Sequence, residues 1–555
     1  MGSVIYQEIH RLIIFPKQNN LVPKVSRREF LKLLAASGVV GLGGLAGFRS
    51  SLPGSQAAAL GAGSWTEGPR ALNHPVHLAM LPSGKVLYVA GSGFHKPSAD
   101  GPFRAGIWDP VADSQKKYSV EKDIWCSGHA LLSNGNVLFV GGTIKYTHQS
   151  PNHRWWGLDA VYEFDFHSES FHERPPMAHG RWYPTAVSLD SGKVQVVEGY
   201  DEFGYSNLLT EIYDPDTQSW SIKYDPESSR KYCVGCDAKG CANLPGAGSS
   251  CYGGPGEGVN PPIAPYPRMH LLPSGMVACV GQNPNRYLWD PATGIWHLAG
   301  NGVKRSFGTS VLLPLQNKAN EKGKILICGG SNTPKYPAIA KKSAEILEQS
   351  GLQMVSRYAQ SMTYARRYCN PVILPTGKVV IFGGTRENND KTLAVYNPEM
   401  FDPVTEKWET LAPHSIPRIY HSGALLLTDG RVWVAGTSYS VYSYELRTEI
   451  FSPSYVTEDR PTISGAPAGI TYGGKFDITT PDASDITAVS LVALSSTTHH
   501  YNTDQRLLWI QILSSTSNTL KVSAPINRRL APPGYYMVHV MDGGVPSKAE
   551  IVQLS

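Results

Sequence analysis

Charge is scarce in this chain. Asp, Glu, Lys and Arg make up 17% of its 555 residues, while Gly (55) and Pro (41) are plentiful and aromatics reach 10%. That balance suits short strands and turns better than helices. The formal charge of +5 lies wholly in residues 1–59, where Arg11, Lys17, Lys24, Arg27, Arg28, Lys32 and Arg49 face only Glu8 and Glu29. The remainder is formally neutral, so nothing in it supports nucleic-acid binding. Long hydrophobic runs are lacking too. The weakly apolar stretch Leu33 to Phe48 falls short of the roughly 20 residues a membrane span needs, and none is expected in the mature chain.

What that basic leader does contain is Ser26-Arg27-Arg28-Glu29-Phe30-Leu31-Lys32, the apolar stretch, and then Ala57-Ala58-Ala59. This is the twin-arginine export pattern with a small-residue cleavage site. Glycines at 41, 43, 44 and 47 make the stretch a poor buried helix. Residues 1–60 are therefore predicted to be an export leader, placing the mature protein in the periplasm, at the cell surface or outside the cell. The twin-arginine route carries folded proteins, which suits a protein assembled before or during export.

Beyond the leader the chain repeats itself. An apolar strand, a turn glycine and a second apolar strand recur around Gly84, Gly135, Gly192, Gly275, Gly323, Gly377 and Gly430. The intervals are 51, 57, 83, 48, 54 and 53 residues, and five of the six lie near the kelch period of about 50. Pro-Ser-Gly, Ser-Asn-Gly and Thr-Asp-Gly supply hairpin turns in which glycine takes the positive φ. Closing strands carry Trp108-Asp109-Pro110, Tyr213-Asp214-Pro215, Trp289-Asp290-Pro291 and Phe401-Asp402-Pro403. The prediction is an all-β chain with a seven-bladed kelch-type β-propeller over residues 64–455. From residue 456 to 555 the pattern changes to short alternating strands, which predicts an immunoglobulin-like β-sandwich.

The long interval contains an insertion, residues 228–262, with Cys233, Cys236, Cys241 and Cys251. In an exported loop four cysteines favour two disulfides in one of three connectivities; uneven spacing and the lack of a nearby His argue against zinc. Cys279 and Cys328 lie in apolar strands and read as small core residues.

Aligning the copies by turn glycine brings reactive side chains together. Cys126, Tyr183 and Tyr368 each precede their glycine by nine residues, and Tyr420 precedes its own by ten. Equivalent positions in a propeller share a height and direction, so Cys126 and Tyr183 are expected as neighbours, with Tyr420-His421 across the opening. His499, in the polar segment Thr498 to Arg506, is placed to reach in from the second domain. Taken singly, each has a plain reading: a packing Tyr, a core Cys, a solvated His.

At these residues the chain resembles the copper-radical oxidases, the galactose oxidase and glyoxal oxidase family. Pro417-Arg418-Ile419-Tyr420-His421-Ser422 looks like the family's axial tyrosine and first copper histidine, and Arg181-Trp182-Tyr183-Pro184 resembles its cross-linked tyrosine segment. Thr498-His499 with Asn502, and Ala531-Pro-Pro-Gly-Tyr-Tyr-Met-Val538, look like its C-terminal domain and second histidine. The resemblance implies one copper ion held by Tyr183, His421, His499 and a solvent or substrate oxygen, with Tyr420 axial; imidazole and oxygen donors suit Cu(II). It also implies a Cys126–Tyr183 thioether whose ring stores an oxidising equivalent. The implied reaction oxidises a primary alcohol or small aldehyde with O2 to give H2O2.

Two departures bear on substrate. In galactose oxidase a tryptophan covers the thioether, whereas the corresponding stretch here is Val197-Glu198-Gly199-Tyr200-Asp201. Tyr200, or Trp155 and Trp156, are candidates for that cover, and Tyr368 for the pocket wall. A separate N-terminal carbohydrate-binding domain is not seen before the propeller, which favours small aldehydes or simple alcohols over sugars. The competing class is a non-catalytic exported kelch propeller that binds a glycan or protein.

Overall fold

The computed structural model describes residues 61–91, 103–147, 150–224, 263–440 and 443–555, all within one compact unit, Leu60–Ser555. The predicted leader and the 228–262 insertion, with its four cysteines, lie outside the described residues. Among the described residues the structure is nearly all β, with short 3-10 turns at Lys391–Leu393 and Ser454–Thr457. Among the described residues no helix is long and apolar enough to cross a membrane.

Among the described residues, six antiparallel sheets have four strands each, and a seventh has six, four of its own and two added by a later hairpin. Their innermost strands are His77–Met80, Gly128–Leu131, Thr185–Ser188, Met269–Leu271, Thr309–Leu312, Asn370–Ile373 and Ser422–Leu426. The turn glycines that follow them all sit at φ between +70° and +91°, where a side chain is disfavoured. Sheet seven takes its outermost strand, Ser64–Glu67, from the start of the described chain, paired with Glu449–Ser452.

Burial falls off outward along each sheet. Innermost strands are buried almost throughout, as in Thr309–Leu312, whereas outer strands such as Ser170–Arg174 are half-buried to exposed. Alternation explains the inner pattern, because successive side chains face opposite neighbours. Leu78 and Met80 pack in one core with Ala424 and Val434 of sheet seven, while Ala79 and Leu87 pack with Val137 and Phe139 of sheet two. Cores likewise join sheets two and three, three and four, and four and five.

Buried arginine–glutamate pairs recur near the inner strand ends: Arg181–Glu211, Arg305–Glu345, Arg366–Glu399 and Arg418–Glu449. Each guanidinium also bonds backbone carbonyls, for example Arg366 to Gly383 O at 2.9 Å and Arg418 to Gly436 O at 3.0 Å. Glycine is needed where these segments meet. A Cβ on Gly383, at φ +64°, would lie 2.4 Å from the Arg418 carbonyl oxygen.

Residues 469–554 form two further sheets around a shared core that includes Ile478, Leu491, Leu520, Val522 and Val538. Between Ile486–Ala493 and Leu507–Ile510 the chain leaves this region as a hairpin and joins the inner edge of sheet one, pairing Thr498 with His77 and Ser496 with Ala79. Three consecutive residues anchor it. Asp504 accepts from Leu131 N and Ser188 Oγ, Gln505 bonds both backbone groups of Ile373, and Arg506 donates to Leu271 O. The hairpin thereby touches the inner strands of sheets one, two, three, four and six.

Candidate metal and redox centre

Six residues immediately ahead of inner strands share a left-handed backbone: Cys126 (φ 63°), Tyr183 (70°), Tyr266 (50°), Phe307 (57°), Tyr368 (61°) and His421 (62°). For bulky side chains this conformation is uncommon and costs about 1–3 kcal/mol. Three of the paired arginines sit two residues upstream of such a position, and Arg418 sits three upstream of His421. Their ion pairs and carbonyl contacts hold the segment in place. The shared position in sheet seven belongs to His421, so Tyr420 is one residue out of register with Cys126 and Tyr183. Tyr266, nine residues before Gly275, has the same sequence signal and was not among the expected residues.

The five expected reactive residues converge. The Tyr183 and Tyr420 hydroxyls meet in a hydrogen bond, and Cys126 Sγ lies 3.7 Å from His499 Nε2. Ligand atoms of Cys126, His421 and His499 all lie within 4.8 Å of one another, and all three residues are buried. The two imidazoles cross at 85° with centroids 4.7 Å apart, and Tyr420 stacks on His421 at 3.8 Å. His499 is also flanked by Tyr266, at 4.3 Å and 26°.

Electrostatics favour neutral donors here. Burial, reinforced by His74, His500 and His77, holds His421 well below the usual imidazole range; burial, then His421 and His77, does the same for His499. Burial, then Asp123, pushes the Cys126 thiol well up. His421 Nδ1 contacts Ser438 Oγ at 2.9 Å and His499 Nδ1 contacts Thr498 Oγ1 at 2.7 Å. Such contacts fix the rings and would leave Nε2 as the nitrogen able to hold a metal. Two neutral imidazoles and two phenol oxygens fit a copper ion.

The cover over Tyr183 is its own neighbour. Trp182 stacks on Tyr183 with centroids 3.6 Å apart and planes 8° from parallel. Trp155 lies parallel to Trp182 at 4.8 Å and 3°, and Tyr200 at 5.7 Å and 7°. Trp155 and Tyr200 thus lie parallel to Trp182, whereas Trp156 is turned away from that stack. Its indole donates to Asn152 and packs against Lys145 and Phe203. Tyr368 lies in the wall, 5.2 Å from Tyr420 and 5.3 Å from His500, its hydroxyl accepting from Arg367 Nη2 at 2.9 Å. Cys279 and Cys328 are buried and free.

Two imidazoles, two phenols and a thiol gathered in one cluster are a donor set suited to a metal-dependent redox centre. Residues 266–455 match the glyoxal oxidase N-terminus and residues 460–554 the galactose oxidase-like early set domain. A galactose oxidase of Gibberella zeae is 28% identical over 515 residues, covering 87% of this chain and 69% of its own. The aldehyde oxidase GLOX1 of Arabidopsis thaliana is 27% identical over 500 residues, covering 79% and 72%. The solved structure of a fungal alcohol oxidase of the AA5 family, in complex with copper, matches in fold with a TM-score of 0.72 at 22% identity, over 89% of this chain and all of that one. The chain belongs to the copper-radical oxidase family of galactose oxidase and glyoxal oxidase.

Proposed function

We propose that this chain is an exported oxidase that converts a primary alcohol or small aldehyde, with O2, into the next oxidation product and H2O2. Its scaffold is a seven-bladed propeller with an immunoglobulin-like C-terminal sandwich, and its cofactors are one copper ion and a Cys126–Tyr183 thioether radical. The observation that carries this is the meeting of Cys126, Tyr183, Tyr420, His421 and His499 in one cluster, all but the half-buried Tyr420 being buried. Their sequence positions span almost four hundred residues, and ordinary core packing does not call for that donor set.

Oxidising an alcohol or hydrated aldehyde removes two electrons and two protons. Bound copper supplies one of the two one-electron steps and polarises the substrate oxygen. Tyr183, His421, His499 and Tyr420 would hold it. Tyr420 takes the hydroxyl proton as general base. Tyr183, once cross-linked to Cys126, would hold the second oxidising equivalent and would accept the hydrogen atom from carbon. Trp182, stacked face to face, spreads the ring's charge and leaves Tyr183 only 5% exposed. Tyr200, Trp155 and Tyr368 bound the substrate space. O2 accepts the two electrons and two protons and leaves as H2O2.

Copper loading of purified protein under air, followed by proteolysis and mass spectrometry, tests this. A Cys126–Tyr183 peptide lighter by two hydrogens, together with peroxide release from aldehydes or primary alcohols, is the expected result. Unlinked peptides and no peroxide would leave the glycan- or protein-binding propeller as the better account.

A further inference from the structure

The aromatic stack does not stop at the cover. Trp182 lies against Tyr183, Trp155 against Trp182, and Tyr146 against Trp155 with centroids 5.3 Å apart. Trp125 bridges the same end, 5.4 Å from Trp155 and stacked on Tyr146 at 5.8 Å and 20°. Solvent exposure rises along this series. Tyr183 and Trp182 are buried at 5% and 1%, whereas Trp155 and Tyr146 are half-buried. Tyr146 also donates a 2.5 Å hydrogen bond to the carboxylate of Asp123. Neither Tyr146 nor Asp123 has a part in the oxidation steps derived above.

We propose that Tyr146, Trp155 and Trp182 form an electron path from the protein surface to Tyr183, with Tyr146 as the docking site for a small one-electron oxidant. The proposal rests on the reading of Tyr183 as the redox group. Substrate oxidation and peroxide formation each move two electrons, so a centre that has gained one stray electron cannot be returned to its working state by either. A one-electron route repairs it. Electron transfer weakens steeply with distance, and Trp and Tyr rings in contact are oxidisable stepping stones.

The steps balance. The oxidant takes one electron from Tyr146, and the phenol proton passes to Asp123, leaving a neutral Tyr146 radical and a protonated carboxyl. Tyr146 then regains an electron through Trp155 and Trp182 from reduced Tyr183, and its proton from Asp123. The net change is one electron from Tyr183 to the oxidant, and the proton lent to Asp123 is back on Tyr146. The Tyr146–Asp123 bond puts a proton acceptor beside the ring at the half-buried end of the series.

The test uses full-length, copper-loaded, cross-linked protein, reduced by one electron and mixed without oxygen with ferricyanide. Radical appearance is followed by absorption and by electron paramagnetic resonance. Tyr146→Phe keeps the ring and removes the proton-coupled step. It should slow radical appearance at least about tenfold, with the final radical yield and steady turnover unchanged. In wild-type protein, spin trapping with peptide mapping should place adducts on Tyr146 or Trp155. An unchanged rate in Tyr146→Phe, or adducts confined to other residues, overturns the path alone. A wild-type protein that never gives a radical overturns the reading of Tyr183 and the path with it.

Discussion

Replacing Glu211 by Gln isolates the charge that holds the Tyr183 segment. Arg181 and Glu211 are fully buried, and Glu211 Oε2 accepts from Arg181 Nη2 at 2.7 Å and Nε at 3.2 Å. Its other oxygen accepts from Ala178 N at 2.8 Å. The guanidinium goes on to Glu198 O at 2.8 Å and Leu209 O at 3.0 Å, immediately before Trp182 and Tyr183. Glutamine keeps the shape but leaves a buried cation without its counter-charge, a loss of about 3–5 kcal/mol. Urea unfolding of the copper-free protein, followed by tryptophan fluorescence, should show that loss. The double replacement Arg181→Leu with Glu211→Leu removes both charges, and stability should recover to within about 1–2 kcal/mol of wild type. The carbonyl contacts of Arg181 are then gone, so the yield of Cys126–Tyr183 cross-link should still fall. Stability and positioning therefore separate. If Glu211→Gln unfolds within about 1 kcal/mol of wild type, the clamp is not what holds this segment.

Glu198 takes the place where other sheets use glycine, at φ 61°, and burial, opposed by Arg181, pushes its carboxyl up to about 8 from 4.5. The folded protein keeps a proton that the unfolded chain releases above pH 4.5, so stability should fall between pH 4.5 and 8, by up to about 1.4 kcal/mol per pH unit. Glu198→Gln should flatten that slope in melting temperatures measured across the range. Gly383→Ala places a Cβ 2.4 Å from the Arg418 carbonyl and should cost at least about 2 kcal/mol. Gly351→Ala, at φ +58° with nothing within 4 Å, should cost only the backbone part, about 1 kcal/mol by chemical denaturation. His499→Ala should abolish tight copper binding in equilibrium dialysis while circular dichroism stays native, because Asp504, Gln505 and Arg506 hold the hairpin without it.

Local rules were the legible ones. Each turn glycine announced itself because a tight hairpin needs positive φ, and counting back nine residues reached Cys126, Tyr183 and Tyr368. The same count reaches Tyr266 and His421, but attention to chemistry rather than register passed over the first and paired the second with the wrong equivalent. Trp182 was missed because the cover was sought at a distance along the chain, in Tyr200 downstream and in Trp155 and Trp156 upstream, and nothing in one sequence says that a residue stacks on its own neighbour. The hairpin that delivers His499 was beyond reach: its partner strand pairs Thr498 with His77, and no local period links segments so far apart.

Register and cost have one origin here. Six non-glycine residues at φ 50–70° ahead of inner strands each carry a backbone penalty of about 1–3 kcal/mol, and a packing scaffold would have kept glycine there. Four of the six have a buried arginine two or three residues upstream, tied both to a glutamate and to carbonyls. Those clamps over-determine the backbone at the points where it is strained. Cys126 and Tyr266 lack one and lean on the centre itself, Cys126 N donating to His77 Nε2 and Tyr266 O–H to Ser127 O. The donors converge because strained residues at one height point into one space, so loosening a clamp in a sheet's interior should disturb the chemistry before it unfolds the protein.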